Sequence, residues 1–242
     1  MAVWARGMID KQASIRFELR QHAFFAGIDD DGLDDLIAIS QIKIFKGRQA
    51  ICRQGEDAEN MYVVLSGRIK ICTTSQGGKE TVLAFMGPGE VLGEIAVLDG
   101  GLRTASAITI EESRVLVIGR TGFISYLETH PKVALNIIGV LCGRLRKTDE
   151  FVEEMTTLQA GPRLARALLR LAEQYGKPQP EGGILVDIKL SQANLGAHAG
   201  LMRENVNRQL KVWEDDGLLG GSGGLITLFR VDALEEIADQ SA

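Results

Sequence analysis

The chain has 242 residues, a formal net charge of −5 and a hydrophobic fraction of 45%, typical of a globular protein large enough for two modest domains. No apolar run approaches the roughly 20 residues that cross a bilayer. The N-terminal MAVWARGMIDKQ lacks the apolar core and cleavage pattern of a signal peptide, so we expect none. The negative charge gives no bulk attraction to nucleic acid, so any DNA binding must come from a local patch.

Cysteine and histidine usage argues against metal chemistry. The three cysteines, Cys52, Cys72 and Cys142, are odd in number and form no CxxC pair. They indicate neither a disulfide framework nor a metal cluster, and they fit a reducing cytoplasm, where we expect the protein to work. His22 and His130 stand apart from other ligand types, so we interpret them as surface or helix-end residues and expect no bound metal.

Short helices followed by many short strands are predicted for the first half of the chain. Residues 15–39 show helical spacing, interrupted by Gly27 and by the acidic turn at residues 29–31. Between residues 41 and 118, β-rich runs alternate with turn residues, which predicts an all-β barrel or double-sheet roll. The runs are IKIF, QAICR, MYVVL, RIKIC, TVLAF, ASAITI and RVLVI.

One stretch at residues 89–106, GEVLGEIAVLDGGLRTAS, breaks the strand pattern. EIAVL is long enough for a single helical turn, and the free N–H groups of a helix start after Gly93 would attract an anion. Arg103 can supply a fork of donors to a phosphate, and Thr104 adds a hydroxyl. Glu94 is an acceptor suited to a sugar hydroxyl. These residues predict a site for a small phosphorylated nucleoside.

The order GEIAVL…RTAS within a β-roll resembles the phosphate-binding cassette of cyclic-nucleotide-binding domains. The resemblance implies that Glu94 binds the ribose 2′-hydroxyl, Arg103 the cyclic phosphate, and Thr104 the phosphate or purine. Gly93 and Ile95 would complete the cassette. The interval from Glu94 to Arg103 and the threonine after the arginine are also found in kinase regulatory domains, some of which prefer cGMP. The resemblance therefore does not choose between cAMP and cGMP, and a loop that binds nothing is the alternative.

A long helix is predicted over residues 132–158, after Pro131 and before Gly161-Pro162, which we expect to stop or break it. Its seam positions are spaced alternately by four and three residues, as in a coiled coil. No other stretch of the chain offers an equal seam, so the pattern predicts a symmetric homodimer. The seam residues are Ala134, Ile138, Leu141, Leu145, Thr148, Val152 and Met155.

The polar seam residue Thr148 either fixes the register of the two helices or faces a ligand. Aligned on the basic segment that begins at Arg144, bacterial regulators resembling this chain place Thr148 and Asp149 at the purine, with Arg144 nearby. The second position is often serine in that family. A carboxylate accepts hydrogen bonds from purine amino or imino groups, so we hypothesise that Asp149 broadens or shifts ligand choice. The alternative is an ordinary surface charge.

The second half of the chain predicts a winged helix-turn-helix. An amphipathic segment, RLARALLRLAEQYG, is followed by a turn-rich loop at residues 177–183 and a strand in ILVDIKL. Ser191 is a natural N-cap for a short helix, and Gly200 supplies the turn into a second helix over residues 202–215. ITLFRV would form the wing.

Base-reading side chains are predicted on the second of these helices. Arg203 and Glu204 lie in its first turn, and Arg208 falls on roughly the same face, where a recognition helix meets base edges in the major groove. The segment RENVNR resembles the recognition helix of the same regulators. The resemblance implies that both arginines contact guanines, Glu204 accepts from a cytosine amino group, Ser191 contacts a phosphate, and half-sites resemble TGTGA.

Over residues 24–231 the chain resembles the cyclic-AMP receptor/fumarate–nitrate regulator (CRP/FNR) family of bacterial transcription factors. The implied fold is α+β: a cyclic-nucleotide-binding β-roll, or double-stranded jelly roll, at 15–130, a dimerisation helix at 131–160 and a winged helix-turn-helix at 161–242. The implied function is a homodimer that binds cAMP, or also cGMP, as an allosteric ligand and then a palindromic operator in double-stranded DNA. RNA polymerase is a further implied partner, and a membrane is not.

Three other readings of the sequence remain open. A regulator of this kind could respond to another effector such as haem, although His22 and His130 are poor ligand candidates, or to none. A regulatory subunit that never touches DNA is disfavoured by RENVNR. An enzyme is disfavoured because the chain has no Ser/His/Asp set, metal-ligand cluster or Walker loop. The loop at residues 177–183 departs from the loop that contacts polymerase in the family, so it does not distinguish activation from repression.

Overall fold

The computed structural model of the protein describes residues 13–20 and 23–240. The N-terminal segment considered for a signal peptide and His22 lie outside the described residues. The chain divides into two compact units, one that ends at Leu145 and one that begins at Arg146. None of the helices in the described ranges has the length and apolarity that a bilayer crossing requires.

The first unit is a β-roll with short helices before and after it. Its strands are β1 (Ser40–Phe45), β2 (Ala50–Cys52), β3 (Asn60–Ser66), β4 (Ile69–Thr74), β5 (Glu80–Met86), β6 (Val91–Leu92), β7 (Ser106–Thr109) and β8 (Ser113–Gly119). Its helices are α1 (residues 13–20), a 3₁₀ turn (Ala23–Phe25), α2 (Asp30–Ala38), α3 (Glu94–Asp99), α4 (Arg120–Thr129) and the first part of α5 (Pro131–Thr157).

Two antiparallel four-stranded sheets form the roll. One has the order β1-β8-β3-β6 and the other β2-β7-β4-β5. The seven β-rich runs of the sequence correspond to β1–β5, β7 and β8, so the predicted double-sheet roll is confirmed. Strand β6 was not predicted because its two residues are too short to show a period.

Strands β3 and β8 are apolar on both faces because each face lies against a different core. Met61, Val63 and Leu65 of β3 belong to a cluster shared with the helices. Tyr62 and Val64 of the same strand belong to a second cluster that includes residues of the other sheet. Successive side chains of a strand point to opposite faces, so the continuous run MYVVL fills both clusters at once. Each fully buried aliphatic side chain contributes about 1.5–3 kcal/mol.

Helix α5 begins and ends within one residue of the range predicted from its seam. Ile138, Leu145 and Val152, which are spaced by seven residues, are 56%, 62% and 56% exposed. Among the residues that the structure describes, none therefore gives these three seam positions full apolar cover. Exposed apolar residues at this spacing are typical of a coiled-coil seam.

The other predicted seam positions differ in burial. Ala134 is half-buried, Leu141 packs against the first core cluster, and Met155 lies against Gly200. The exposed apolar stripe instead includes Leu135, which is 68% exposed, and Cys142. The sequence pattern alone did not distinguish the side of α5 that packs on its own β-roll from the side that remains open.

The second unit contains a small sheet surrounded by helices. After the last part of α5, its elements are α6 (Ala160–Tyr175), β9 (Gly176–Pro178), β10 (Ile184–Val186), α7 (Gln192–Ala199), α8 (Arg203–Asp215), β11 (Leu219–Ser222), β12 (Leu225–Leu228) and α9 (Val231–Ala238). The sheet has the antiparallel order β11-β12-β10-β9. The hairpin of β11 and β12 is the predicted wing.

The predicted break between the long helix and the next one is confirmed, whereas one local prediction for the second unit was wrong. Gly161 and Pro162 lie inside the first turn of α6, where a proline is tolerated because its missing N–H would have no helical partner. Residues 176–178 were assigned to a helix end and a loop, but they form β9 and pair with β10. Strand β9 contains a proline at the edge of the sheet, which conceals it from a search for β-rich runs.

A buried carboxylate joins the end of α5 to α6. Glu154 is 5% exposed, and its Oε1 accepts a hydrogen bond of 2.5 Å from Arg170 and lies 3.7 Å from a guanidinium nitrogen of Arg166. Burying a carboxylate is costly unless it is paired. The end of α5 is therefore held in one orientation on α6 within the second unit.

The turn from β6 into α3 depends on Gly93. Its φ is +79°, in the left-handed region that a side chain disfavours. A Cβ at this position would lie against Nη1 of Arg103, and the same nitrogen donates a 3.0 Å hydrogen bond to the Gly93 carbonyl. A substitution would strain the backbone and also displace the guanidinium.

Gly93→Ala should therefore cost more stability than Gly78→Ala. Gly78 has an equivalent φ of +78° but open space around its Cβ position, so its substitution measures backbone strain alone, about 1 kcal/mol. Gly93→Ala should lose at least about 1 kcal/mol more, because an added methyl group forces the arginine to move. Hydrogen exchange of the backbone amides of β3 and β8 measures the opening free energy of this unit. Equal losses in the two variants would contradict the steric argument.

Candidate functional site

The centre of the candidate nucleotide site is the guanidinium of Arg103, which is only 5% exposed. Nη1 donates to the Gly93 carbonyl at 3.0 Å, and Nη2 donates to the Asn60 carbonyl at 2.5 Å. The guanidinium carbon lies 5.5 Å from the centre of the Tyr62 ring. The backbone of Arg103 is also fixed, because its N–H donates to the Glu56 carbonyl and its carbonyl accepts from the Gly55 N–H, both at 2.9 Å.

Within the described ranges, Arg103 is a buried cation without an acidic partner. Among the described residues, no carboxylate lies within ion-pair distance of it, and its Nε is buried without a hydrogen-bond acceptor. Carbonyl dipoles and an aromatic face offset only part of the cost of removing a charge from water. An anion bound here would supply the missing charge and accept from Nε. The residues present therefore fit a phosphate.

Glu94 lies in the same cassette and is 1% exposed. Its Oε1 accepts a short hydrogen bond from Nη1 of Arg144 on α5, and Nη2 of that arginine donates to the Val91 carbonyl. The ion pair compensates the buried carboxylate charge and joins α3 to the first part of α5. The predicted residues Gly93, Glu94, Arg103 and Arg144 are thus brought together.

Two other predicted cassette residues are more open. Thr104 is exposed directly after Arg103, and Ile95 is 39% exposed in the first turn of α3. Neither side chain has a hydrogen bond or packing contact to the arginine among the contacts seen in the described chain. Their roles toward the phosphate and purine stay predictions.

The surroundings of Arg103 are apolar as well as charged. Tyr62, Cys52 and Leu92 belong to the core cluster between the sheets. Burial raises the pKa of the Cys52 thiol and of the Tyr62 hydroxyl above their usual values, and the positive charge of Arg103 opposes both shifts. Both groups are therefore neutral at physiological pH, so neither supplies a counter-charge to the guanidinium.

A depression of about 680 Å³ on the β-roll is formed by other residues. None of the predicted nucleotide residues lines it, so it does not mark the cassette. The position of the candidate site follows from the uncompensated charge of Arg103 rather than from the shape of the surface. The depression is lined by Arg48, Ala50, Arg53, Gln54, Thr74, Ser106 and Ile108.

Thr148 and Asp149 lie on α5 beyond the point where the chain divides, in the second unit. Both are exposed. Asp149 follows Leu145 by four residues and precedes Val152 by three, so it shares the exposed stripe of the helix. The contact of either residue with a purine stays a prediction.

The second unit contains the predicted helix-turn-helix. Ser191 caps α7 by accepting a hydrogen bond from the Asn194 N–H at 3.1 Å, and Gly200 ends that helix with a φ of +68°. Val206, Leu210 and Trp213 are buried on one side of α8. This burial determines which face of α8 remains available to a partner.

The predicted DNA-contacting residues occupy the open surface of this motif. Arg203, Glu204 and Arg208 are exposed on α8, and Ser191 is exposed at the start of α7. Nη2 of Arg208 donates to Oδ1 of Asn205 at 2.9 Å, which orients its guanidinium. The structure thus presents the four residues on exposed positions of α7 and α8, and their base and phosphate contacts stay predictions.

Several residues around these sites were not identified from the sequence. Asn60 contributes only its backbone carbonyl to the contacts of Arg103. Tyr62 belongs to a strand whose sequence predicts core residues alone. Gln192 donates from Nε2 to Oδ1 of Asn207 at 3.0 Å, between α7 and α8. A backbone acceptor, a ring beneath a cation and a hydrogen bond between helices leave no signature in residue spacing.

Two protein families match separate parts of the chain. Residues 42–130 match the family described as cyclic nucleotide-binding domain, and residues 162–237 match the Crp-like helix-turn-helix domain. The Cyclic AMP receptor protein of Thermus thermophilus is 31% identical over 214 residues, which cover 88% of this chain and 95% of that protein.

One further relative and one solved structure are similar to this chain. A CRP-like cAMP-activated global transcriptional regulator of Mycobacterium tuberculosis is 30% identical over 79% of this chain and 85% of its own length. The structure of FixK2 from Bradyrhizobium japonicum shares the fold, with a TM-score of 0.73 at 23% identity, covering 84% of this chain and all of FixK2. The α+β arrangement predicted from the sequence is confirmed. The chain belongs to the CRP/FNR family of DNA-binding transcriptional regulators, which are not enzymes.

Proposed function

We propose that the protein is a cytoplasmic homodimer whose binding to a palindromic, TGTGA-like operator depends on cAMP, or also on cGMP. The observation that carries the proposal is Arg103, a buried guanidinium that no carboxylate of the described chain neutralises. A cyclic nucleotide has one phosphodiester charge, one free ribose hydroxyl and a purine. The Arg103 guanidinium can bind the phosphodiester charge, and the Glu94 carboxylate can accept a hydrogen bond from the ribose hydroxyl.

The donor and acceptor inventory of the cassette supports this ligand class. A guanidinium has five N–H donors, and two of those of Arg103 are used by backbone carbonyls, so three remain, including the one on Nε. A phosphodiester would accept from these donors in a partly dehydrated site, where charge-assisted hydrogen bonds are strongest. Glu94, already paired with Arg144, would accept from the 2′-hydroxyl.

The ion pair between Glu94 and Arg144 offers a route for regulation. A ligand that hydrogen-bonds to the Glu94 carboxylate changes the environment of a group that contacts α5. We infer that the ligand favours one packing of two α5 helices over another, and that this packing sets the spacing of the recognition helices. Ligand and DNA affinities must then enhance each other by the same factor.

The alternative, a response to haem, has less support. The ring of His130 stacks on Tyr126 with centroids 4.1 Å apart, and its Nδ1 lies 3.0 Å from the Tyr126 carbonyl. Within the described part of the chain, no group of three His, Cys, Asp or Glu residues could hold a metal ion. A Soret band in the purified protein would favour haem.

Arg103→Gln tests the proposed ligand. The variant should bind cAMP and cGMP more than about 30-fold more weakly by calorimetry, because a buried charge pair is lost. Its operator binding in a gel-shift assay should no longer respond to nucleotide. Without nucleotide its stability should change little, because the loss of two hydrogen bonds to backbone carbonyls is offset by the removal of an incompletely compensated buried charge.

Lys79→Gln is the matched control, since it removes one positive charge from an exposed hairpin turn of the same unit. It should bind both nucleotides like the wild type. Wild-type protein that ignores both nucleotides in calorimetry, or binds the operator equally with and without them, would refute the proposed ligand.

Leu145→Asp tests the proposed dimer. A carboxylate in the centre of the exposed stripe of α5 should yield a monomer in sedimentation analysis, because two charges would meet at the seam. Ile44→Asp is the control, since Ile44 is similarly exposed at 67% but lies on β1. Cys142, on the same stripe, should form an interchain disulfide on mild oxidation. A monomeric wild type, or a dimeric Leu145→Asp, would contradict the proposal.

Asp149→Ser tests the proposed influence of Asp149 on ligand choice. Guanine offers imino and amino donors to a carboxylate, whereas adenine offers only an amino donor. The substitution should therefore lower the affinity for cGMP more than that for cAMP. Calorimetry with both nucleotides measures the ratio, and an unchanged ratio would leave Asp149 as a surface charge.

A further inference from the structure

Asn207 occupies the same open face of α8 as the predicted base contacts. It follows Arg203 by four residues and Glu204 by three, and these intervals bring helical side chains onto one face. Asn207 is exposed. Its Oδ1 accepts a 3.0 Å hydrogen bond from Nε2 of Gln192, the first residue of α7. The amide is therefore held in one orientation at the open surface between the two helices.

The hydrogen bond from Gln192 leaves most of the Asn207 amide available. A carboxamide oxygen has two lone pairs, and Gln192 occupies one of them. Nδ2 has two N–H donors, and neither contacts an acceptor in the described chain. The side chain thus offers one acceptor site and two donors, already oriented, so less conformational entropy is lost when it binds a partner.

This combination matches one base edge in particular. In the major groove, adenine presents the N6 amino group as a donor beside N7 as an acceptor, and an asparagine side chain pairs with both. Guanine presents two acceptors at the corresponding positions, so the Asn207 oxygen would find no donor there.

The charge of the second unit makes such contacts important. Residues 146–242 contain eleven Lys and Arg against fifteen Asp and Glu, so this unit has an excess of negative charge. Attraction to the phosphate backbone, which usually dominates affinity for DNA, must therefore come from few cations. Hydrogen bonds to base edges then carry a larger share of the recognition.

We propose that Asn207, positioned by Gln192, reads an adenine in the operator half-site at a position distinct from those read by Arg203, Glu204 and Arg208. The proposal rests on the DNA-binding activity of the family and not on the identity of the ligand. Asn207 is a base-contacting residue, and Gln192 acts through it.

Selection from a DNA library with randomised half-sites tests the proposal. The full-length wild type should select an adenine at one position that Asn207→Ala no longer specifies, and the affinity of this variant for the selected site should fall about tenfold or more. Asn207→Asp retains the acceptor for Gln192 but loses both donors. It should also lose the adenine, because it cannot donate to N7. Gln192→Ala should weaken the preference at that same position only.

Lys211→Ala provides the control, since Lys211 is an exposed cation on α8. Removal of this cation lowers the electrostatic attraction to the phosphates, so it should weaken binding to all sequences about equally and leave the selected half-site unchanged. Identical half-sites for wild type and Asn207→Ala, or a uniform loss of affinity like that of Lys211→Ala, would overturn the role of Asn207. Selection by the wild type that needs no nucleotide would count against the proposed ligand and not against this inference.

Discussion

The burial of the Arg103 guanidinium is the constraint on which the first unit depends. A charge removed from water must be compensated, and here the compensation is assembled from elements far apart in sequence: the carbonyls of Asn60 and Gly93 and the ring of Tyr62. The left-handed turn at Gly93 is needed to make room for the arginine. The sheets therefore hold a cation in an incompletely satisfied state, a form of local instability that is common where a protein binds a ligand.

Helix α5 serves both units of the chain. Its first part packs on the β-roll through residues such as Ile137 and contacts the cassette through Arg144. A stripe through Ile138, Leu145 and Val152 is left open. Its last part is held by Glu154 on α6. One helix thus has three faces with different tasks, which explains why its sequence is neither a plain amphipathic helix nor a perfect heptad repeat.

The sequence was sufficient for features that depend on local chemistry. Turn residues separate the strands of the roll. The order of Gly93, Glu94 and Arg103 predicts a phosphate-binding cassette, and the structure brings these residues together. The sequence was insufficient where tertiary contacts determine whether a side chain is buried or exposed. Leu141 satisfies the seam spacing but packs on its own β-roll, whereas Leu135 is exposed. The sequence predicts Tyr62 only as a core residue, and the hydrogen bond between Gln192 and Asn207 joins two helices. Spacing within one segment could therefore reveal neither the contact of Tyr62 with Arg103 nor this hydrogen bond.

Arg144 and Glu154 anchor the same helix at two points ten residues apart, and no flexible loop lies between them. An α-helix turns by roughly 100° for each residue. A single residue inserted or deleted between these anchors would leave both ion pairs intact, because each pair lies within one unit, and would change only the helical phase between the two anchors. The number of residues between the anchors therefore sets a phase that substitution of the surface side chains in this segment would not alter.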